Sequence, residues 1–216
     1  MSDGKKNDAD VKREDSEEEE LPEIEEQLVT KSYIGKSGQS KVAYTATAAT
    51  QVIERDDDKK AVFFYVAYTK DDADPADRPL IFAFNGGPGS STVWLHLGLF
   101  GPKRVEFDDD GFPVGVPGRL VDNEYSILDV ADVVHVDAIG TGLSRGMPKD
   151  KEKEYHHFSK DIEAFSQFIV SYLSRNDRWG SPVFLAGESY GTTRGAAVAA
   201  DLFDKHGLQL NGVILL

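Results

Sequence analysis

Ser189 stands in Gly187-Glu188-Ser189-Tyr190-Gly191, a G-x-S-x-G pattern. The apolar run Val183 to Ala186, rich in strand formers, leads into it, and small, helix-compatible residues follow. A strand, a sharp turn and a helix hold a serine hydroxyl above a sheet edge. Glycines flank it because a side chain would clash where strand and helix pass closely. The helix N-terminus also aims backbone N–H groups at the spot where an attacked carbonyl gains negative charge. That chemistry is acyl transfer through a covalent intermediate. At average glycine usage the five-residue pattern arises by chance in about one chain of this length in 20, and it then marks only a glycine-rich turn with an exposed serine. The flanking strand and helix turn the reading towards a nucleophile.

Two further loops carry candidate chemistry. Asn85-Gly86-Gly87-Pro88-Gly89-Ser90-Ser91 follows the apolar run Leu80-Ile81-Phe82-Ala83-Phe84, and a Gly-Gly loop leaving a buried strand allows close backbone approach to a ligand. The phosphate-loop pattern G-x-x-x-x-G-K-[ST] is absent. Asp137-Ala138-Ile139-Gly140-Thr141-Gly142-Leu143-Ser144 follows a second apolar run, Ala131 to Val136. The five histidines, at 96, 135, 156, 157 and 206, read as structural or solvated groups. His156-His157 lacks the carboxylate–histidine spacing of a zinc site, so neither metal nor cofactor is expected.

The elements that must position these loops follow from hydrophobic pattern. Residues 41–54 and 60–69 alternate in strand-forming residues across a charged link at Arg55-Asp56-Asp57-Asp58, which predicts an antiparallel hairpin. Residues 103–126 read as loop, with a turn at Asp108-Asp109-Asp110-Gly111. Ile162, Phe165, Phe168, Ile169, Tyr172 and Leu173 repeat at helical spacing, which predicts a helix over 159–175 capped by Ser159. A second helix is expected over about 190–205, then a buried strand at Val213-Ile214-Leu215-Leu216. Strands that alternate with helices after residue 80 imply a mostly parallel sheet with helices on both faces. Its three loops then meet along one sheet edge, where open α/β sheets bind ligands.

Composition bounds the rest. The chain has 216 residues, 40% of them hydrophobic and 29% charged, as expected for one sizeable globular core plus a tail. Residues 1–28 hold 12 acidic and 4 basic residues, including Glu17-Glu18-Glu19-Glu20, and read as a disordered acidic tail ahead of a domain over 29–216. The net charge of −14 argues against nucleic acid and anionic membrane surfaces as partners. The apolar runs are too short for a transmembrane helix, and the acidic N-terminus has no signal-like apolar region, which makes a cytoplasmic location the expectation. There is no cysteine, hence no disulfide.

Taken together, Asn85 to Ser91, Gly98-Leu99-Phe100-Gly101-Pro102, Asp137 to Ser144 and Gly187 to Gly191 resemble the serine carboxypeptidases in type, order and approximate spacing. The resemblance runs from about residue 30 to residue 216 and implies the α/β-hydrolase fold and a peptide substrate cleaved at its C-terminal end. It assigns Ser189 as nucleophile, the backbone N–H groups of Gly87 and Tyr190 as the oxyanion hole, and Asn85 and Glu188 as holders of the substrate's C-terminal carboxylate. The residues agree on the oxyanion donors, since the residue after the nucleophile and a loop after an early strand are the expected sources. Glu188 beside a nucleophile requires a proton or a partner, because its charge would oppose the oxyanion.

Three positions depart from the family. Ala83 stands where a tryptophan is usual, Leu99 where a second carboxylate-binding glutamate is usual, and Ser90 where many secreted members have cysteine. The first two leave an esterase or acyltransferase open as the alternative activity. The family's Asp and His lie well beyond residue 216, so the chain reads as an N-terminal portion ending before the last strands. By itself it would be inactive and poorly folded, with a binding role as the remaining alternative.

Overall fold

The computed structural model describes residues 24–38, 40–54 and 60–216. The acidic stretch over 1–23 and the charged hairpin link at Arg55 to Asp58 lie outside the described residues. The strands run β1 (Leu28–Ser37), β2 (Ser40–Glu54), β3 (Lys60–Lys70) and β4 (Leu80–Phe84). A short helix α1 (Val93–Leu95) continues directly into a π-helical turn (His96–Phe100). Next come β5 (Lys103–Val105), β6 (Leu120–Asp122), β7 (Asp132–Val136), β8 (Arg145–Met147), a 3₁₀ segment (Lys149–His156) and α2 (Phe158–Arg175). The last elements are β9 (Val183–Gly187), α3 (Tyr190–His206) and β10 (Gly212–Leu215).

Among the described residues the main sheet has the order β1-β2-β3-β7-β4-β9-β10, with β8 pairing beside β7 on β3. The strands β7, β4, β9 and β10 run parallel. The others are antiparallel, the expected hairpin β2–β3 among them. This is the α/β-hydrolase arrangement, with a strand–turn–helix elbow after β9, which lies between β4 and the edge strand β10.

The continuous apolar run of β4 is explained by burial on both faces. Leu80, Phe82 and Phe84 join one core with Phe63, Tyr65, Val134, Val136 and Leu185, whereas Ile81 and Ala83 join another with Val133 and Ala186. Both long helices cover the first face, through Phe165, Phe168, Ile169, Tyr172 and Leu173 of α2 and Val198 and Leu202 of α3. The second face is covered by Leu95 of α1, Phe100 of the π-turn and Leu128 in the loop before β7. All six residues of the predicted stripe on α2 are buried.

The structure corrects several local expectations. Ser159 is not the cap of α2. The helix starts at Phe158 with His157 at the cap position, and the amides of Lys160 and Asp161 bond the His157 carbonyl. The stretch 103–126 contains the ribbon β5–β6, around the expected turn in which Gly111 N–H donates to the Asp108 carbonyl (3.0 Å). Strand β1 was not expected from the sequence, because seven of its first eight side chains face solvent and leave no alternation to read.

At the N-terminal ends of the central strands sits a buried charge cluster. Asp132, at the start of β7, accepts from Arg78 Nε (3.3 Å) and Nη2 (3.1 Å), from the Lys70 amide (3.0 Å) and from Arg178 Nη1 (2.8 Å). Arg78 donates on to the carbonyls of Leu128 and Asp129, and Arg178 to Ser181 Oγ and the Arg78 carbonyl. Every donor and acceptor thus meets a partner, the condition for keeping charges out of water.

Candidate active site

The loops after β4, β7 and β9 meet at the opposite, C-terminal ends of the same strands. Ser189 forms the turn between β9 and α3 with φ 56° and ψ −121°, a backbone region that only an over-determined turn imposes on a residue with a Cβ. Its side chain is exposed above the sheet. The turn is fixed by backbone bonds: Ser189 N–H to the Leu216 carbonyl (3.0 Å), Glu188 N–H to Phe84 (3.2 Å), Gly191 N–H to Glu188 (2.8 Å) and Thr192 N–H to Ser189 (2.9 Å).

The requirement for glycine is steric. A Cβ on Gly187 would collide with the carbonyl of Gly191, where strand and helix cross. A Cβ on Gly86 would collide with the Tyr190 amide nitrogen and lie 2.6 Å from the Glu188 carbonyl and 2.8 Å from the Gly191 amide. The Gly-Gly loop therefore rests directly on the first turn of α3. Gly87 follows with φ 107°, a conformation suited to glycine. Among the described residues neither the Gly87 amide nor that of Tyr190, in the unpaired first turn of α3, donates to a protein acceptor.

Asn85 and Glu188 are brought together: Asn85 Nδ2 donates to Glu188 Oε2 (2.9 Å). The remaining polar atoms of Asn85 are also engaged. Its amide donates to Thr92 Oγ1 (3.2 Å), its Oδ1 accepts from the Leu95 amide (3.1 Å) and its carbonyl accepts from Arg194 Nη1 (2.8 Å). The loop after β7 is bound into the same unit, since Asp137 Oδ1 accepts from the Thr92 amide (2.8 Å) and Thr92 Oγ1 donates to the Val136 carbonyl (2.5 Å). Burial pushes the Asp137 carboxyl up, and hydrogen bonds from the Thr92 and Leu143 amides offset part of that. A cavity of about 190 Å³ lies beside the elbow, between Pro88 and Gly89 on one side and Tyr190, Arg194, Asp161 and His156 on the other. Leu99 lies half-exposed on the π-turn.

None of the five histidines hydrogen-bonds Ser189. His96 Nε2 lies 2.6 Å from the Tyr68 hydroxyl and its ring stacks on His135 (centroids 4.6 Å). Both ring nitrogens of His135 are buried without a partner among the described residues. Burial holds His96 down to about 4 and lowers His135 well below its ordinary value, with the neighbouring His96 adding to the effect. In an unfolded chain both would titrate near 6.5. The folded state therefore binds fewer protons as pH falls below 6.5. The stability these rings contribute is complete above that pH and is lost as pH falls below it, for His96 between about 6.5 and 4. For His96 alone the loss is about 3 kcal/mol. Asp137, with its raised carboxyl, works in the opposite sense at the acid end. Urea titrations from pH 7.5 to 4.5 are expected to show a falling midpoint, with a shallower fall in His135→Phe. A flat profile, or an unchanged slope in the variant, would refute the assignment.

Among the described residues no group of three or more His, Asp or Glu side chains is arranged to hold a metal ion. The arrangement is one for acyl chemistry: an exposed hydroxyl on a strained turn, unpaired amides beside it, and an amide–carboxylate pair alongside.

This chain is similar to proteins of known identity. The pheromone-processing carboxypeptidase KEX1 of Saccharomyces cerevisiae is 31% identical over 144 residues, 63% of this chain and 18% of the relative. The serine carboxypeptidase-like 8 protein of Arabidopsis thaliana is 28% identical over 137 residues, 62% of this chain and 30% of the relative. The matched part of this chain thus spans less than a third of either. Among solved structures, the rice cell wall degrading esterase LipA of Xanthomonas oryzae is similar with a TM-score of 0.49 at 14% identity, over 87% of this chain and 48% of that one. The family model described as serine carboxypeptidase matches residues 44–215, which take in most of β2, all of β3 to β10 and all three site loops, and by that match the chain belongs to the serine carboxypeptidase family.

Proposed function

We propose that this chain carries the nucleophile half of a serine carboxypeptidase, and that Ser189 attacks the last peptide carbonyl of a peptide substrate. The observation that carries the reading is the strained, exposed Ser189 beside two unpaired amides. In this mechanism Ser189 Oγ adds to the carbonyl carbon and the oxyanion is received by the Gly87 and Tyr190 N–H groups, an effect of about 3–4 kcal/mol per donor. The tetrahedral intermediate expels the C-terminal amino acid and leaves an acyl-enzyme, which water hydrolyses. In the family's mechanism the general base is a histidine oriented by an aspartate, both later in the chain than the serine in the order usual for this fold.

Asn85 and Glu188 are the proposed readers of the substrate's free carboxylate. They already form a hydrogen-bonded pair, which supports their acting together. A substrate carboxylate docked against Glu188 requires a proton shared between the two, because two carboxylates in contact resist joint ionisation. The second reading, an esterase or acyltransferase, is favoured by the half-exposed Leu99, which places an apolar side chain where the family's second carboxylate-binding glutamate is usual.

The test compares a blocked dipeptide having a free C-terminus with its methyl ester, in the complete enzyme and in Glu188→Gln. A carboxypeptidase is expected to cleave the dipeptide with a KM that rises with pH, and the rise should flatten in the variant. Fast turnover of the ester alone, with no turnover of the dipeptide, would transfer the assignment to the second reading. Equal pH slopes in both proteins would remove Glu188 from carboxylate recognition.

A further inference from the structure

Arg194 is 1% exposed, a rare place for a cation. It lies on α3 one turn beyond Tyr190, so both side chains share a helix face. Its Nε donates to Asp161 Oδ2 on α2 (2.8 Å), and its Nη1 donates to the Asn85 carbonyl (2.8 Å). The guanidinium also lies over the rings of Phe165 (4.7 Å), Tyr190 (5.2 Å) and Phe84 (5.7 Å). A buried charge of this kind is weak evidence for stability, since an apolar group of similar volume often does as well. What an apolar group cannot do is donate in two fixed directions at once, which the planar fork of arginine does.

The second of those directions meets the loop that leads to the site. The Asn85–Gly86 peptide is planar, so fixing its carbonyl also fixes the direction of the Gly86 N–H and the start of the Gly86–Gly87 segment. Gly86 and Gly87 have no side chains of their own to steer that segment, and glycine adopts many backbone conformations when released. The segment must nevertheless sit against the Tyr190 and Gly191 amides, where not even a Cβ fits. We propose that Arg194, clamped by Asp161, is a positioning residue that sets the Gly86–Gly87 peptides against the first turn of α3 and so aligns the two oxyanion donors. This rests on the reading of Ser189 as nucleophile. Arg194 touches no reacting atom and acts through the Asn85 carbonyl.

The role has a signature that a purely structural one lacks. Misaligned donors weaken the transition state and leave ground-state binding intact, so kcat falls, by about 100-fold for a displacement near 1 Å, while KM is unchanged. Affinity for a peptide aldehyde, which forms the tetrahedral adduct, should fall by the same factor, and affinity for a non-reactive product peptide should hold. The loop should also loosen locally. The amides of Asn85 and Ser90, which bond Thr92 Oγ1 and the Gly86 carbonyl, are expected to exchange faster while α2 and α3 keep their protection.

The experiment measures hydrogen exchange, kcat, KM and aldehyde affinity in the complete enzyme for Arg194→Lys and for Arg194→Met combined with Asp161→Asn. The lysine variant keeps the charge but cannot reach both partners with a fork. The double variant leaves no unpaired buried charge and so keeps the test alive if Arg194→Met alone fails to fold. Faster exchange confined to the loop, with kcat and aldehyde affinity reduced together, is the expected result. Unchanged loop exchange, or a loop that loosens only in step with α2 and α3, overturns the proposal. A loosened loop in a protein whose Ser189→Ala variant is as active as wild type sinks the nucleophile reading and leaves the hold of Arg194 on the loop standing.

Discussion

Ser189→Ala is expected to lower kcat/KM of the complete enzyme by about 10⁴- to 10⁶-fold, and Ser189→Gly to do the same while making the protein more stable. The first effect follows from loss of the nucleophile, after which only oxyanion and binding contributions remain. The second follows from backbone geometry. Ser189 has φ 56° and ψ −121°, a conformation that costs a residue with a Cβ about 1–3 kcal/mol. Glycine adopts it freely and returns about 0.5–1 kcal/mol of that gain as extra entropy of the unfolded chain. The balance is a stabilisation of about 1 kcal/mol. It would appear as a higher urea midpoint at constant slope, the mark of a change in stability without a change in compactness. An alanine variant within tenfold of wild-type activity would overturn the nucleophile, and a glycine variant less stable than wild type would overturn the strain.

Asp132→Ala is expected to destabilise the fold by about 3–5 kcal/mol, a large fraction of the stability of a domain. Among the described residues Asp132 is the one carboxylate paired with the buried guanidinium groups of Arg78 and Arg178, which its two oxygens serve separately. Its removal also frees the Lys70 amide. Two cations would then be left facing each other out of water. The measurement is urea unfolding of Asp132→Ala in the wild-type background and in Arg78→Met/Arg178→Met. The penalty should shrink sharply in the second background, where no buried charge is stranded. A loss under 1 kcal/mol in the wild-type background, or the same loss in both, would show that the cluster does not hold the strands.

The parts legible in the sequence are those in which one residue's neighbours are near in the chain. The stripe on α2 repeats every turn, the run of β4 is apolar throughout because both of its faces are covered, and the elbow is a five-residue pattern between a strand and a helix. Strand β1 was hidden because its pairing with β2 is made by backbone groups, which almost any residue carries, while its exposed side chains show no alternation. The short strands β5, β6 and β8 have three residues each, too few for a period to show. Arg194 was not read as part of the site, since its partners Asp161 and Asn85 are 33 and 109 residues away and an arginine in a helix ordinarily faces water. One signal was available and not used: Asp132 and His135 interrupt a strand otherwise apolar on both faces, and a polar residue there must find a partner or lack one.

The Asp132 cluster and the Ser189 turn occupy opposite ends of the same short strands, about 17 Å apart for five residues of extended chain. Groups so separated, with no partner in common, respond to substitution independently. Inheritance can therefore act on the two ends at different rates. The clasp at one end keeps the sheet assembled while the loops at the other are free to be rewritten, and a lineage could exchange one acyl substrate for another there without first having to find a new way to fold.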